Sequence, residues 1–259
     1  MNQINRVIGE HFFSFQFHDD SLASFFHEQF RTCAGGKTPD VTVVFCKGYG
    51  MSFLNYDVQV MKNENQIVFS RADYKITADP SYSHAEIHVY DELALKHALM
   101  NLYSSYIVHK NWGILLHSSC VVENSQAHIF TGHSGAGKST AAMLSHPRPL
   151  FSDEATVLKI DAEGVTAFDS PFRSELHGSA LVRFAELKSI NLLHQSLVIE
   201  RNQISKSAAL MALFDKVFYW ASDKSETKRI LPILKNLVDH TEIFNLYFQK
   251  NNQFWEMIS

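Results

Sequence analysis

The sequence predicts an α/β fold on three observations. Residues 127–144 read as a short apolar strand, a glycine-rich loop and a helix, the loop being Gly132-His133-Ser134-Gly135-Ala136-Gly137-Lys138-Ser139-Thr140. The first hundred residues carry short apolar runs of period two, bounded by turn residues, as half-buried strands do. Residues 93–108 and 227–240 space their apolar side chains as amphipathic helices do.

Taken in order, the front region, residues 1–110, is expected to be α+β and mainly a β meander. Phe13, Phe15 and Phe17 alternate with Ser14 and Gln16, a half-buried strand. Asp19 or Asp20 is placed to cap a helix carrying Leu22, Phe25, Phe26 and Phe30, ended by Gly35-Gly36. Strands are expected at 41–46, 56–61, 66–70, 74–78 and 85–90, with a hairpin turn at Asn63-Glu64-Asn65. A helix at 93–108 then leads to a second domain, residues 111–259. There, Ile114-Leu115-Leu116 and Cys120-Val121-Val122 flank His117-Ser118-Ser119, and a turn at Glu123-Asn124-Ser125 leads into the strand before the loop. Beyond the loop, Leu150-Phe151 and residues 156–160 frame Asp153-Glu154. Residues 178–194 and 205–214 read as helices, and 213–220 and 243–249 as strands. The helix at 227–240 contains Pro232, which predicts a start or a kink there.

Composition narrows the function classes. With 46% hydrophobic and 19% charged residues the chain is globular, and a net charge of −4 gives no footing for general nucleic-acid or membrane-surface binding. The fourteen histidines are scattered without metal-ligand spacing, and the three cysteines, Cys33, Cys46 and Cys120, make neither a CxxC pair nor an even disulfide set. The N-terminus lacks a signal-peptide pattern, so a cytoplasmic protein is expected.

The loop carries the chemistry. It fits G-x-x-x-x-G-K-[ST], with Gly132, Gly137, Lys138 and Ser139 in the defining places. Such a loop turns its backbone N–H groups toward phosphate oxygens, its lysine meets the β/γ-phosphates and its serine offers a hydroxyl to Mg²⁺. ATP and Mg²⁺ are therefore the expected ligands, with His133, Ser134, Gly135, Ala136 and Thr140 completing the cradle. Two adjacent carboxylates between apolar strands are costly without a cation nearby, which points to Asp153 and Glu154 as site residues.

The order of His117, the loop and Asp153-Glu154, fifteen residues beyond Lys138, resembles the HPr kinase/phosphorylase family and its shorter HPr-kinase-like serine kinases. The resemblance covers residues 112–180 and implies a P-loop kinase core of the HPr kinase type. It implies Asp153 as base or metal-directed carboxylate beside the γ-phosphate, Glu154 as a metal ligand and His117 as a partner that orients or charge-pairs with them. Arg173 is a candidate to neutralise transition-state charge and Glu175 to help hold the metal; Arg201 is a further phosphate-side candidate. This chain departs from the family in having Asp-Glu where an Asp-Asp pair is usual, and Pro171-Phe172-Arg173-Ser174-Glu175-Leu176 matches the bifunctional signature only loosely. Kinase activity alone is the implied reaction.

The expected acceptor is a hydroxyl on a small protein or peptide, such as a ribosomally made peptide precursor, or on a small-molecule alcohol. No nucleic-acid or membrane partner is expected, and self-association is compatible with the sequence. An ABC-type transport ATPase shares this loop, yet the chain has no Leu-Ser-Gly-Gly-Gln-like signature and its acidic pair follows the loop too soon. A nucleotide-binding regulator without phosphoryl transfer is the other alternative.

Overall fold

The computed structural model describes residues 2–29, 38–174, 176, 182–221 and 224–258. Phe30, Cys33, Gly35-Gly36, Glu175 and Gly178 lie outside the described residues. The chain is a mixed α/β protein that divides into two compact units. One holds Met1–His109 with Tyr219–Thr227, and the other Lys110–Phe218 with Lys228–Ser259.

In the first unit β1 (Asn2–Ile8), β2 (His11–Phe17), α1 (Asp20–Gln29), β3 (Val41–Lys47), β4 (Gln59–Lys62), β5 (Ile67–Ser70), β6 (Tyr74–Ala78), β7 (His84–Val89) and α2 (Glu92–His109) follow in order. The sheet order among the described residues is β1-β2-β3-β7-β6-β5-β4. Strands β4 to β7 form the antiparallel meander that the sequence predicts, while β2, β3 and β7 run parallel to one another. The first strand and these parallel pairings had no sequence signal. Alternation decides the faces: Phe13, Phe15, Phe17, Val41, Val43, Phe45, Ala85, Ile87 and Val89 are fully buried or nearly so. Asp19 caps α1, its Oδ1 accepting from the backbone N–H groups of Ser21 and Leu22 at 3.0 and 3.2 Å.

The second unit contains β8 (Gly113–Glu123), β9 (Gln126–Thr131), α3 (Lys138–Leu144), β10 (Leu150–Ser152), β11 (Ala155–Ile160), β12 (Val165–Phe168), β13 (Phe184–Gln195), β14 (Glu200–Gln203), α4 (Lys206–Phe214), most of α5 (Lys224–His240), β15 (Glu242–Phe248) and a final 3-10 segment, Asn252–Met257. Strand β8 pairs with β9, β9 with β13, β13 with β12, β12 with β11 and β11 with β8, so the pairings close a circuit. Strands β9 and β15 flank β13 in parallel, which brings the carboxyl ends of all three to the same end of the sheet.

Two expectations are corrected here. Residues 184–194, expected to be helical, lie in the long strand β13 (Phe184–Gln195). Phe184, Leu187, Ile190 and Leu193 imitate helical spacing, but the register shifts between Leu187 and Ser189 and thereby puts both Leu187 and Ile190 inside. Residues 213–220, expected to be a strand, begin as the last turn of α4, which ends at Phe214, and beyond it make an isolated bridge between Leu116 and Val217. Helix α5 runs through Pro232. No helix among the described residues is long and apolar enough to cross a membrane.

Candidate functional site

The loop rises from the carboxyl end of β9 and enters α3. Its base is anchored in the core, where Ala136, Ala141 and Ala142 pack with Phe130, Leu193, Leu246, Phe248 and Trp255. Gly137 has φ +105, and a Cβ there would approach Phe248 Cζ to 2.7 Å, so conformation and space both demand glycine. The first backbone bond of α3 runs from Ala141 N–H to Gly137 O at 2.8 Å; the N–H groups of Lys138, Ser139 and Thr140 come before it and lack intrahelical acceptors. Lys138 is 9% exposed, and its ammonium turns back over the loop, donating to Gly132 O at 3.3 Å and His133 O at 3.2 Å. Burial lowers its pKa, and the nearby Lys216 lowers it further. Ser139 presents an exposed side chain, as do His133 and Ser134.

Backbone pairing brings the other sequence candidates alongside. Thr131 Oγ1 donates to His117 O at 2.7 Å, and the Ser118 N–H donates to Glu154 O at 3.1 Å. Ser119 Oγ donates to Lys138 O at 3.0 Å, which fastens β8 to the start of α3. The residues around His117, the loop and the acidic pair thus meet through three strands that are neighbours in the sheet.

Their side chains are engaged within the fold. Both oxygens of Asp153, a residue 3% exposed, are engaged by one short segment. Oδ1 accepts from the Ser174 N–H at 2.9 Å; Oδ2 accepts from Ser174 Oγ at 2.7 Å and from the Leu176 N–H at 2.9 Å. Arg173 donates to Leu150 O at 3.0 Å and forms an ion pair with Asp169. Arg201 lies over the Phe244 ring at 3.5 Å and donates to Asn191 Oδ1 and to Met257 O. Glu154 is half-buried. Glu175 falls outside the described residues.

His117 sits in a desolvated, positively charged setting. Burial, then the positive charges of Lys138 and Lys216, lower its pKa to about 4, so the ring is neutral at neutral pH in this nucleotide-free state. Its ring lies 5.4 Å from that of Phe218. His128, whose Nδ1 is 3.0 Å from Ser189 Oγ, is lowered to about 4 as well, by burial first and then by Arg201 and Lys188. An unfolded histidine takes up its proton near pH 6.5, whereas these two stay neutral down to about 4. Between those limits the unfolded chain binds more protons, so folding stability falls as pH falls through that window and levels off above it. His117→Gln should therefore narrow the gap between the urea midpoints at pH 5 and pH 7.5. An unchanged gap would refute a buried, neutral His117.

A cleft of about 450 Å³ opens beside the loop, lined by Gly137, Thr140, Gln195, Leu197, Phe248 and Lys250 among others. It lies at the carboxyl ends of the parallel strands β13 and β15, where open α/β sheets receive ligands. Gln195 Nε2 also donates to Gly135 O at 2.8 Å and so braces the loop. Sequence reasoning missed Gln195, Phe248, Lys250, Lys216 and Ser174. Gln195 directly follows a segment read as helix, Ser174 lies in the stretch that matches the bifunctional signature only loosely, and the others reach the site from parts of the chain that carry no local motif.

No family model matches this chain, and no curated protein matches it. Among solved structures, the HPr(Ser) kinase/phosphatase from Coxiella burnetii is similar at 13% identity over 47% of this chain and 88% of that one, with a TM-score of 0.24. A likeness of that size assigns neither an activity nor a residue.

Proposed function

We propose that this chain is an ATP-dependent phosphotransferase with a P-loop core of the HPr kinase type. It moves the γ-phosphoryl group to a hydroxyl, with serine of a small protein or peptide as the favoured acceptor. One observation carries the reading: a glycine-rich loop with a buried lysine stands at the carboxyl ends of parallel strands, next to an open cleft and to the acidic pair. A nucleoside would occupy the cleft beside Phe248 and Leu197, with its phosphates toward the N–H groups of Lys138, Ser139 and Thr140. Lys138 would then exchange its contacts with Gly132 and His133 for the β/γ-phosphates. Bound phosphate also offsets the two cations that add to burial in lowering the His117 pKa.

Mg²⁺ suits part of this donor set. The exposed Ser139 hydroxyl and the half-buried Glu154 carboxylate supply hard oxygens. Asp153 fits less well, because its oxygens already accept three hydrogen bonds. When bound, the ion would spread the negative charge of the phosphates. In the transfer, the acceptor oxygen bonds to the γ-phosphorus, the bond from that phosphorus to ADP breaks, and the acceptor proton passes to a base, for which Asp153 and His117 are the nearby groups.

A second reading, nucleotide binding without transfer, is favoured by the engagement of Asp153 and Arg173 within the fold. Labelled ATP with Mg²⁺ and a panel of serine peptides and small alcohols separates the readings. Labelled peptide is the expected result. Labelled alcohol changes the acceptor class, phosphate release alone means an ATPase, and binding without turnover establishes the second reading.

A further inference from the structure

The outer face of the first unit's sheet carries a cluster that the phosphotransferase reading leaves unused. Cys46 on β3 is registered directly against His88 on β7, and Glu86 stands two residues before His88. Strand alternation buries Val43, Phe45, Ala85, Ile87 and Val89 on the inner face, so Cys46, Glu86 and His88 share the outer one. The Cys46 sulfur, a Glu86 carboxylate oxygen and a His88 ring nitrogen all lie within 4.8 Å of one another. His88 Nε2 is 2.6 Å from Glu86 Oε1. Cys46 and His88 are half-buried and Glu86 is exposed, so an ion can reach the group from solvent.

We propose that Cys46, Glu86 and His88 form a binding site for a thiophilic divalent cation, Zn²⁺ or Co²⁺. The donor set selects the metal. Thiolate, imidazole and carboxylate are the three ligand types that Zn²⁺ combines, whereas Mg²⁺ and Ca²⁺ take oxygen alone. The backbone supports the geometry as well. Two of the ligands are cross-strand partners and the third stands two residues earlier on β7, on the same face, so hydrogen-bonded ladders set their Cα positions before any metal arrives. Tetrahedral coordination by three side chains leaves a fourth position open to water or an exogenous ligand. Lys75, registered against His88 from β6, is the nearest cation in the ladder, and it sets the cost that metal binding must outweigh.

The test is titration of the reduced, metal-free full chain with Co²⁺, read by the thiolate-to-cobalt charge-transfer band and by calorimetry. One equivalent should bind and produce the band. Cys46→Ser should abolish the band, and His88→Gln and Glu86→Gln should each weaken binding by at least about tenfold. Cys120→Ser and Lys138→Ala should leave both readouts unchanged, the latter because the site is independent of the nucleotide loop. Absence of the band in the wild-type chain overturns the proposal, as does its survival in Cys46→Ser. Unchanged binding in Glu86→Gln or His88→Gln overturns the three-ligand site. The wild-type titration decides the matter even where a variant folds poorly.

Discussion

Lys138→Ala is expected to lower ATP-dependent phosphoryl transfer by at least about 10²- to 10³-fold, the loss that follows removal of one preorganised donor to transition-state charge. The fold should survive. Lys138 is a cation at 9% exposure beside a second cation, Lys216, and its contacts to Gly132 and His133 are long hydrogen bonds. Removing it relieves desolvation and like-charge repulsion, so the melting temperature should stay level or rise. A second readout does not depend on catalysis. Lys138 is one of the two cations that depress His117, and in its absence the His117 ring should titrate above its value of about 4, as ¹H–¹⁵N correlation spectra of the imidazole would report. Wild-type turnover in the variant would sink the phosphotransferase assignment. An unmoved His117 titration would show that the two side chains do not share a site.

Legibility in the sequence followed the range of the forces involved. The loop could be read because its chemistry is local: a fixed spacing of glycines, lysine and serine sets the backbone turn and the first helical turn together. The same holds for Asp19, which caps α1 two residues away, and for the meander, whose alternation is visible strand by strand. Reading failed where pairing partners lie far apart in the chain. Strand β13 carries an apolar spacing that suits a helix, and only its position between β9 and β15 explains why Leu187 and Ile190 both face inward. Side-chain roles were harder still. The ion pair of Arg173 with Asp169, four residues away, has no signature in the sequence, and Lys216 enters the site from a turn after α4. His117 was found by its place before the loop, yet its charge state depends on burial and on two lysines that only the fold brings near.

Asp153→Asn carries the second large expected effect, and the structure changes what that effect means. As an isolated base, Asp153 would lose transfer on amidation while the protein kept its stability and nucleotide affinity. Here the carboxylate also accepts from Ser174 N–H, Ser174 Oγ and Leu176 N–H. Asparagine has one acceptor oxygen and one NH₂ group. The Ser174 hydroxyl can rotate to accept from that NH₂, but a backbone N–H cannot, so at least one donor loses its partner at a residue 3% exposed. That should cost about 1–3 kcal/mol of stability and loosen the segment around Ser174. Transfer should fall by at least about tenfold to 10²-fold, the lower range of a general-base contribution. Ser174→Ala separates the two causes. It removes only the hydroxyl bond to Oδ2 and leaves the charge in place. If Asp153 acts on the acceptor, Ser174→Ala should keep most of the transfer activity while losing stability. If Asp153 serves only to hold the segment, both variants should lose activity in proportion to the stability they lose, as denaturant melts run beside single-turnover transfer would reveal. An Asp153→Asn protein that transfers phosphate at the wild-type rate removes Asp153 from the chemistry and leaves His117 as the base to test next.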